Sequence, residues 1–99
     1  MGVTYQLQGV LFEWDENKAE TNVQKHGVAF EEATEVFFDP FYQTGDASAD
    51  DKEERDFIIG YTFSQRLLLA VYTERGDRTR IISARSATRS ERIVYEEAN

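Results

Sequence analysis

Between residues 55 and 85 the chain carries three strand-like stretches in succession, RDFIIGYTF, RLLLAVYTE and RTRIISAR. Only Ser64-Gln65 and Arg75-Gly76-Asp77 separate them. No other feature constrains the fold as strongly. Phe57, Ile59, Tyr61 and Phe63 alternate along the first stretch, the period-two signature of a half-buried strand. The second is almost continuously apolar, which suits a central strand covered on both faces. Turns this short join antiparallel neighbours. The chain is thereby committed to a meander whose middle strand needs a cover on each side.

The rest of the sequence supplies the covers. VLFEW (10–14) predicts a first strand. Asp15 follows as N-cap of a helix over ENKAETNVQKH, with Trp14 placed to staple onto Ala19 and Gly27 as the residue that ends it. Ala19 and Val23 alone form its apolar stripe, so this helix is expected to be mostly solvated. Phe30, Ala33 and Phe37 fall at helical spacing and predict a second helix over 30–38, stopped by Asp39-Pro40. FYQT (41–44) suggests a short strand, and GDASADDKEE (45–54) a polar, acidic loop. Thr88-Arg89-Ser90-Glu91 has the capping-box pattern and opens a last helix that runs to about Ala98. The order β-α-α-β-β-β-β-α reads as one α+β domain over residues 1–99, an antiparallel β-sheet packed with N-terminal helices and a C-terminal helix.

Charge is distributed unevenly along this chain. The formal net charge is -8, yet residues 66–92 hold seven arginines against three acids. Residues 1–65 hold four cations against fourteen acids. Cysteine is absent, which excludes disulfides and thiolate metal sites and fits a reducing compartment. No apolar run reaches the ~20 residues a bilayer span needs, and no basic-then-apolar signal pattern opens the chain. A soluble, cytoplasmic protein is the expectation.

Arginine is suited to phosphate because its planar fork can hold two oxygens at once. Strict alternation along 78–85 puts Arg78 and Arg80 on one face and Arg85 on the other. Arg85 would then end its strand beside the start of a capped helix, where backbone N–H groups also favour anions. The competing reading makes these arginines solubilising charges on a sheet edge. His26 is the only histidine, and its ordinary pKa suits proton transfer in either direction near neutrality. Equally, a histidine at a helix C-terminus favours the helix dipole. Glu53 and Glu54 are either a general base or part of a loop's acidic face. Asp46, Asp50 and Asp51 lack the spacing, glycine and closing Glu of an EF-hand, so no metal and no cofactor is expected.

Several exact stretches go further than spacing. FEWDENKAETNVQKHGVAFEEATEVFFDP, EERDFIIGYT, VYTERGDRTRIISARSATRSER and the closing YEE resemble the BrnT-type toxin family of bacterial type II toxin–antitoxin systems. The resemblance covers about Phe12 to Glu97, and its KHG and ERG…RIISAR…ATRxER blocks are long and specific. It implies a RelE-like fold and a metal-independent endoribonuclease that inhibits translation and growth. It also implies a cognate BrnA-type ribbon-helix-helix antitoxin as partner, with operator DNA contacted only through that antitoxin. The family's motif positions fall on Lys25, His26, Glu54, Arg55, Arg75, Arg80 and Arg85. On this reading Arg80 and Arg85 hold the scissile phosphate, and His26 is the acid–base candidate with Glu54 as substitute. Lys25, Arg55, Arg75 and Arg89 contact RNA. Ser86, Ser90, Ile93 and Val94 stand where family members tend to be basic. The alternative is a decayed cleft, a binding module that acts with its antitoxin in operon autoregulation.

Overall fold

The computed structural model describes residues 1–48 and 54–98. Along the chain lie β1 (Gly2–Leu7), β2 (Val10–Asp15), α1 (Glu16–His26) and α2 (Phe30–Ala33), which runs on into a 3₁₀ turn (Thr34–Phe38). Then come β3 (Gln43–Asp46), β4 (Asp56–Tyr61), β5 (Leu67–Arg75), β6 (Arg78–Ser86) and α3 (Arg89–Glu97). The strands form one sheet in the order β1-β2-β6-β5-β4-β3. The α+β class expected from the element order holds. Two details of the sheet differ: an additional strand, β1, precedes the expected first one, and β2 runs parallel to β6, while every other neighbouring pair is antiparallel. Tight turns force antiparallel pairing inside the meander, but β2 and β6 are separated by the helices and three further strands, a connection long enough to permit either direction.

Each face of β5 is covered, as its apolar run requires. Leu68, Ala70 and Tyr72 join Phe12, Trp14, Phe30 and Ile81 in the core beneath α1 and α2. Leu67 and Leu69 meet Ile59 and Tyr95 in a second cluster beneath α3. Trp14 is 1% exposed and packs edge-on to Phe30, with ring centroids 5.8 Å apart. Truncating it to alanine is expected to cost ~3–5 kcal/mol, a large share of the ~5–15 kcal/mol that holds a domain of this size folded. The second helix departs from expectation by tightening after one turn. Gly60 explains how that segment lies on the sheet, because a Cβ there would sit 2.9 Å from the Val36 carbonyl oxygen.

Two local devices position the functional face. The first is α1, whose start and stop follow the sequence. The Asp15 carboxylate accepts the Lys18 N–H at 3.0 Å, and Gly27 ends the helix in the left-handed region at φ 67°. Its anchor, however, is polar. Asn22 is buried and donates to the carbonyls of Val28 and Ala84 at 2.9 and 2.8 Å, while its own carbonyl accepts the Ala84 N–H at 3.1 Å. Val23, expected in the apolar stripe, is 47% exposed. The second device is an irregularity between β5 and β6. Val71 pairs with Ser83 but Tyr72 pairs with Ile81, so Ile82 is an extra residue in β6. This β-bulge resets the alternation. Arg85 pairs with Leu69 and Arg80 with Thr73, and Leu69 and Thr73 lie on one face of β5. Arg80 and Arg85 therefore share a face, which corrects the placement on opposite faces that strict alternation gives.

Candidate nucleic-acid interface

The face of the sheet opposite α1 is divided. Nine-residue α3 covers one end through Tyr95, over Ile59, Leu67 and Leu69. Among the described residues the other end stays open, with Arg55 just before β4, Thr73 and Arg75 on β5, and Arg78 and Arg80 on β6. Arg75 and Arg78 flank the hairpin turn and pair with each other across it. Placing them side by side would be repulsive without a counter-charge. Glu13 of β2 supplies it.

Glu13 alternates with the buried Phe12 and Trp14, so its carboxylate emerges on the open face. Its side chain is 16% exposed and meets Arg80 at 3.0 Å, Arg78 at 3.4 Å and Arg75 at 3.8 Å. Burial works to raise its pKa, but hydrogen bonds and charge from Arg80 and Arg78 outweigh that and hold it below the ordinary glutamate value. The carboxylate is thus ionised at neutral pH and holds the guanidinium groups in a fixed array. Arg78 also reaches the Thr4 hydroxyl at 3.4 Å.

Beside this array lies a recess of about 190 Å³ lined by Lys18, Arg55, Thr73, Arg75, Arg80 and Ile82. Four of its six lining residues are cationic. Glu54 stands at its edge, where its backbone carbonyl accepts the Thr73 hydroxyl at 3.0 Å and its side chain is exposed. A phosphodiester entering here would meet several guanidinium donors in a partly desolvated setting, where such contacts are worth most.

The structure brings together some of the residues singled out in the sequence and separates others. Arg55, Arg75 and Arg80 share the recess, with Glu54 adjacent. Lys25 and His26 do not join them. They are exposed in the last turn of α1 and form no side-chain hydrogen bond or ion pair among the described residues. His26 lies eight positions along the helix from Lys18, about 12 Å at the α-helical rise. Arg89 is exposed in the first turn of α3. Asp50, Asp51 and Glu53 lie outside the described residues. Asp46 accepts the Ser48 N–H at 2.8 Å, a local turn contact. Among the described residues no three His, Cys, Asp or Glu side chains gather to hold a metal ion, and no helix is long and apolar enough to cross a membrane.

Arg85 has a structural occupation. Its Nη1 and Nη2 donate to the two oxygens of Glu91 at 2.7 and 2.8 Å. That fork, with the Thr88 N–H at 2.9 Å, draws the Glu91 pKa down to about 2 against the effect of burial. Glu91 in return pushes the Arg85 pKa up. Thr88 completes the capping box by accepting the Glu91 N–H at 3.2 Å. The helix start expected to receive a phosphate is therefore occupied by its own carboxylate. Glu13, Lys18 and Thr73 had not been singled out. The available signal for Glu13 was its position between two aromatic residues of one strand, which places an acid on the opposite face.

A sequence profile described as "Ribonuclease toxin, BrnT, of type II toxin-antitoxin system" matches residues 14–91. The crystal structure of the Brucella abortus ribonuclease toxin BrnT superposes with a TM-score of 0.61 at 26% identity, covering 77% of this chain and 94% of that one. No curated protein sequence matches the chain. The profile spans both the arginine array and the helix that carries Lys25 and His26, and the fold agrees over most of the domain. The chain belongs to the BrnT family of ribonuclease toxins of type II toxin–antitoxin systems.

Proposed function

We propose that the recess bounded by Arg55, Arg75 and Arg80 is the phosphate-binding centre of a metal-independent endoribonuclease. The observation that carries this reading is the ordered arginine array around Glu13 on the half of the sheet that α3 leaves open. In the reaction, the ribose 2′-oxygen attacks the adjacent phosphorus and the 5′-oxygen of the next nucleotide leaves. The products are a 2′,3′-cyclic phosphate and a 5′-hydroxyl. A base takes the 2′ proton, an acid protonates the departing oxygen, and guanidinium groups stabilise the charge gathering on the phosphoryl oxygens. Such preorganised donors supply the largest share of catalysis in many active sites. Glu54 at the edge of the recess is the better-placed base, since it is exposed and joined to Thr73 through its backbone. His26 and Lys25, about 12 Å along α1 from the recess, contact RNA flanking the cleaved bond. Arg89 extends that contact at the start of α3. Arg85 holds α3 against the sheet and acts on RNA only through that placement.

The excess of acids elsewhere opposes general attraction to nucleic acid. Binding thus depends on the local array and is sensitive to salt. In the cytoplasm the activity inhibits translation and growth, and a BrnA-type ribbon-helix-helix antitoxin neutralises it and contacts the operator DNA. Expression of the chain alone in a bacterium is expected to arrest growth, and purified protein to cleave RNA in the presence of a chelator. Normal growth at verified soluble expression would favour instead a non-cleaving module of the antitoxin complex. Activity lost to chelator and restored by a divalent ion would overturn the metal-free mechanism.

A further inference from the structure

The end of the sheet remote from the arginine-lined recess carries a different surface. An open groove of about 560 Å³ runs between the Asp39-Pro40 turn, the turn from β4 to β5, and Tyr95 of α3. Its walls include Phe38, Phe41, Tyr61 and Phe63, and Phe41 and Phe63 are 57% and 55% exposed. Aromatic area left in water at this scale marks an interaction site.

The groove is built rigidly. Asp39 at its base accepts the Tyr95 hydroxyl at 2.6 Å and the N–H groups of Tyr61 and Phe41 at 2.8 Å each. Tyr61 and Tyr95 meet edge to face at 5.4 Å. Phe63 is presented on a closed turn in which Gln65 donates its N–H to Thr62 at 3.0 Å and the Thr62 hydroxyl accepts the Arg66 N–H at 3.0 Å. Its own N–H donates to the Glu35 carboxylate at 3.0 Å. A preformed groove spares a partner the cost of ordering it.

Charge identifies the occupant. Residues 38–41 supply one wall, and the segment 27–48 around them contains five acids and no lysine or arginine. Asp39 lines the groove and Glu35 accepts the backbone N–H of Phe63 beside it, and both carboxylates take hydroxyl or backbone donors. Arg92 is a cation at the rim, donating to the Tyr61 hydroxyl at 3.1 Å, and Arg66 is paired with Glu32 at 2.7 Å. A polyanion is disfavoured here, and a basic amphipathic peptide segment is complementary. We infer that this groove anchors the antitoxin, through a segment with large apolar side chains between lysines or arginines. It does so at the end of the molecule opposite the RNA recess. This inference rests on the toxin–antitoxin reading above.

The test uses the antitoxin encoded beside this chain, bound to wild-type protein and to Phe63→Glu and Phe41→Ser variants. Both side chains are more than half exposed, so the variants are expected to fold, to cleave RNA at the wild-type rate and to arrest growth. Antitoxin affinity is expected to fall at least ~30-fold, the loss typical of an aromatic hot spot. The variants should therefore stay toxic when the antitoxin is co-expressed. Failure of wild-type protein to bind the antitoxin would remove the toxin–antitoxin reading and this inference together. Tight binding by wild type and by both variants would overturn the groove alone. Loss of RNA cleavage in the folded variants would assign the aromatic residues to RNA stacking, and loss of a homodimer would assign them to a second copy. Either result overturns the inference.

Discussion

Replacing Glu13 with glutamine is expected to move stability and RNA affinity in opposite directions. The carboxylate is the counter-charge for Arg80, Arg78 and Arg75, whose side chains are 28%, 43% and 61% exposed. Contact length and exposure rank the losses in that order. The 3.0 Å bond to Arg80 is worth ~1 kcal/mol, the 3.4 Å contact to Arg78 about half that, and the exposed 3.8 Å contact to Arg75 little. The variant is thus expected to lose ~1–2 kcal/mol, which lowers Tm by about 4–16 °C in a domain of this length. Removing the carboxylate that the three arginines share also frees one unit of positive charge for phosphate. Binding of single-stranded RNA tightens at low salt, and its log–log salt dependence steepens by up to ~0.7. Thermal melts by circular dichroism give the first quantity. Fluorescence anisotropy with a labelled, uncleavable RNA over a salt series gives the second. Weaker RNA binding together with lower stability would mean that Glu13 merely supports the fold and that the arginines do not meet RNA.

Other outcomes follow from the same geometry. The Glu91 pKa of about 2 lies below the ordinary 4.5, so its pairing with Arg85 stabilises the protein fully above pH 4.5 and is lost as pH falls toward 2. The full difference corresponds to ~3 kcal/mol, which screening at the 38% exposed Arg85 reduces to about 1–2. Glu91→Gln is expected to lower stability by that amount at pH 7 and to flatten its decline between pH 4.5 and 2, as read from urea midpoints. Glu54→Gln should slow single-turnover cleavage by ~10²–10⁴ with folding intact, while His26→Ala costs a few-fold. The reverse order would return the base to α1.

Much of the fold was legible because its signals are local. Asp15, Gly27 and the Thr88–Glu91 box act within one helical turn, and each functions where the sequence places it. The continuous run of β5 implied cover on both faces, and it has that cover. The features that escaped are non-local or break an alternation. β1 pairs with β2 through a Gln8-Gly9 turn with both φ angles positive, 50° and 84°. Asparagine or aspartate normally announces such a turn, and glutamine does not. The parallel contact of β2 with β6 joins residues far apart in sequence, so the meeting of Glu13 with three arginines could not be read from either strand alone. The extra residue at Ile82 leaves no local signature, yet it moves Arg85 to the face of Arg80. Of the candidate site, the arginines were visible by composition. Which of them face an open recess, and which one clasps a helix, depended on these pairings.

The most direct measurement is single-turnover RNA cleavage by Arg80→Ala and Arg66→Ala at matched salt, after circular dichroism shows both to be folded. Arg80 lines the recess, whereas Arg66 pairs with Glu32 at the other end of β5. Loss of a donor that acts in the transition state is expected to slow Arg80→Ala by ~10²–10³. Arg66→Ala should change the rate only a few-fold, through long-range attraction that added salt removes. Equal losses, or a larger loss at Arg66, would contradict the placement of phosphate in the recess.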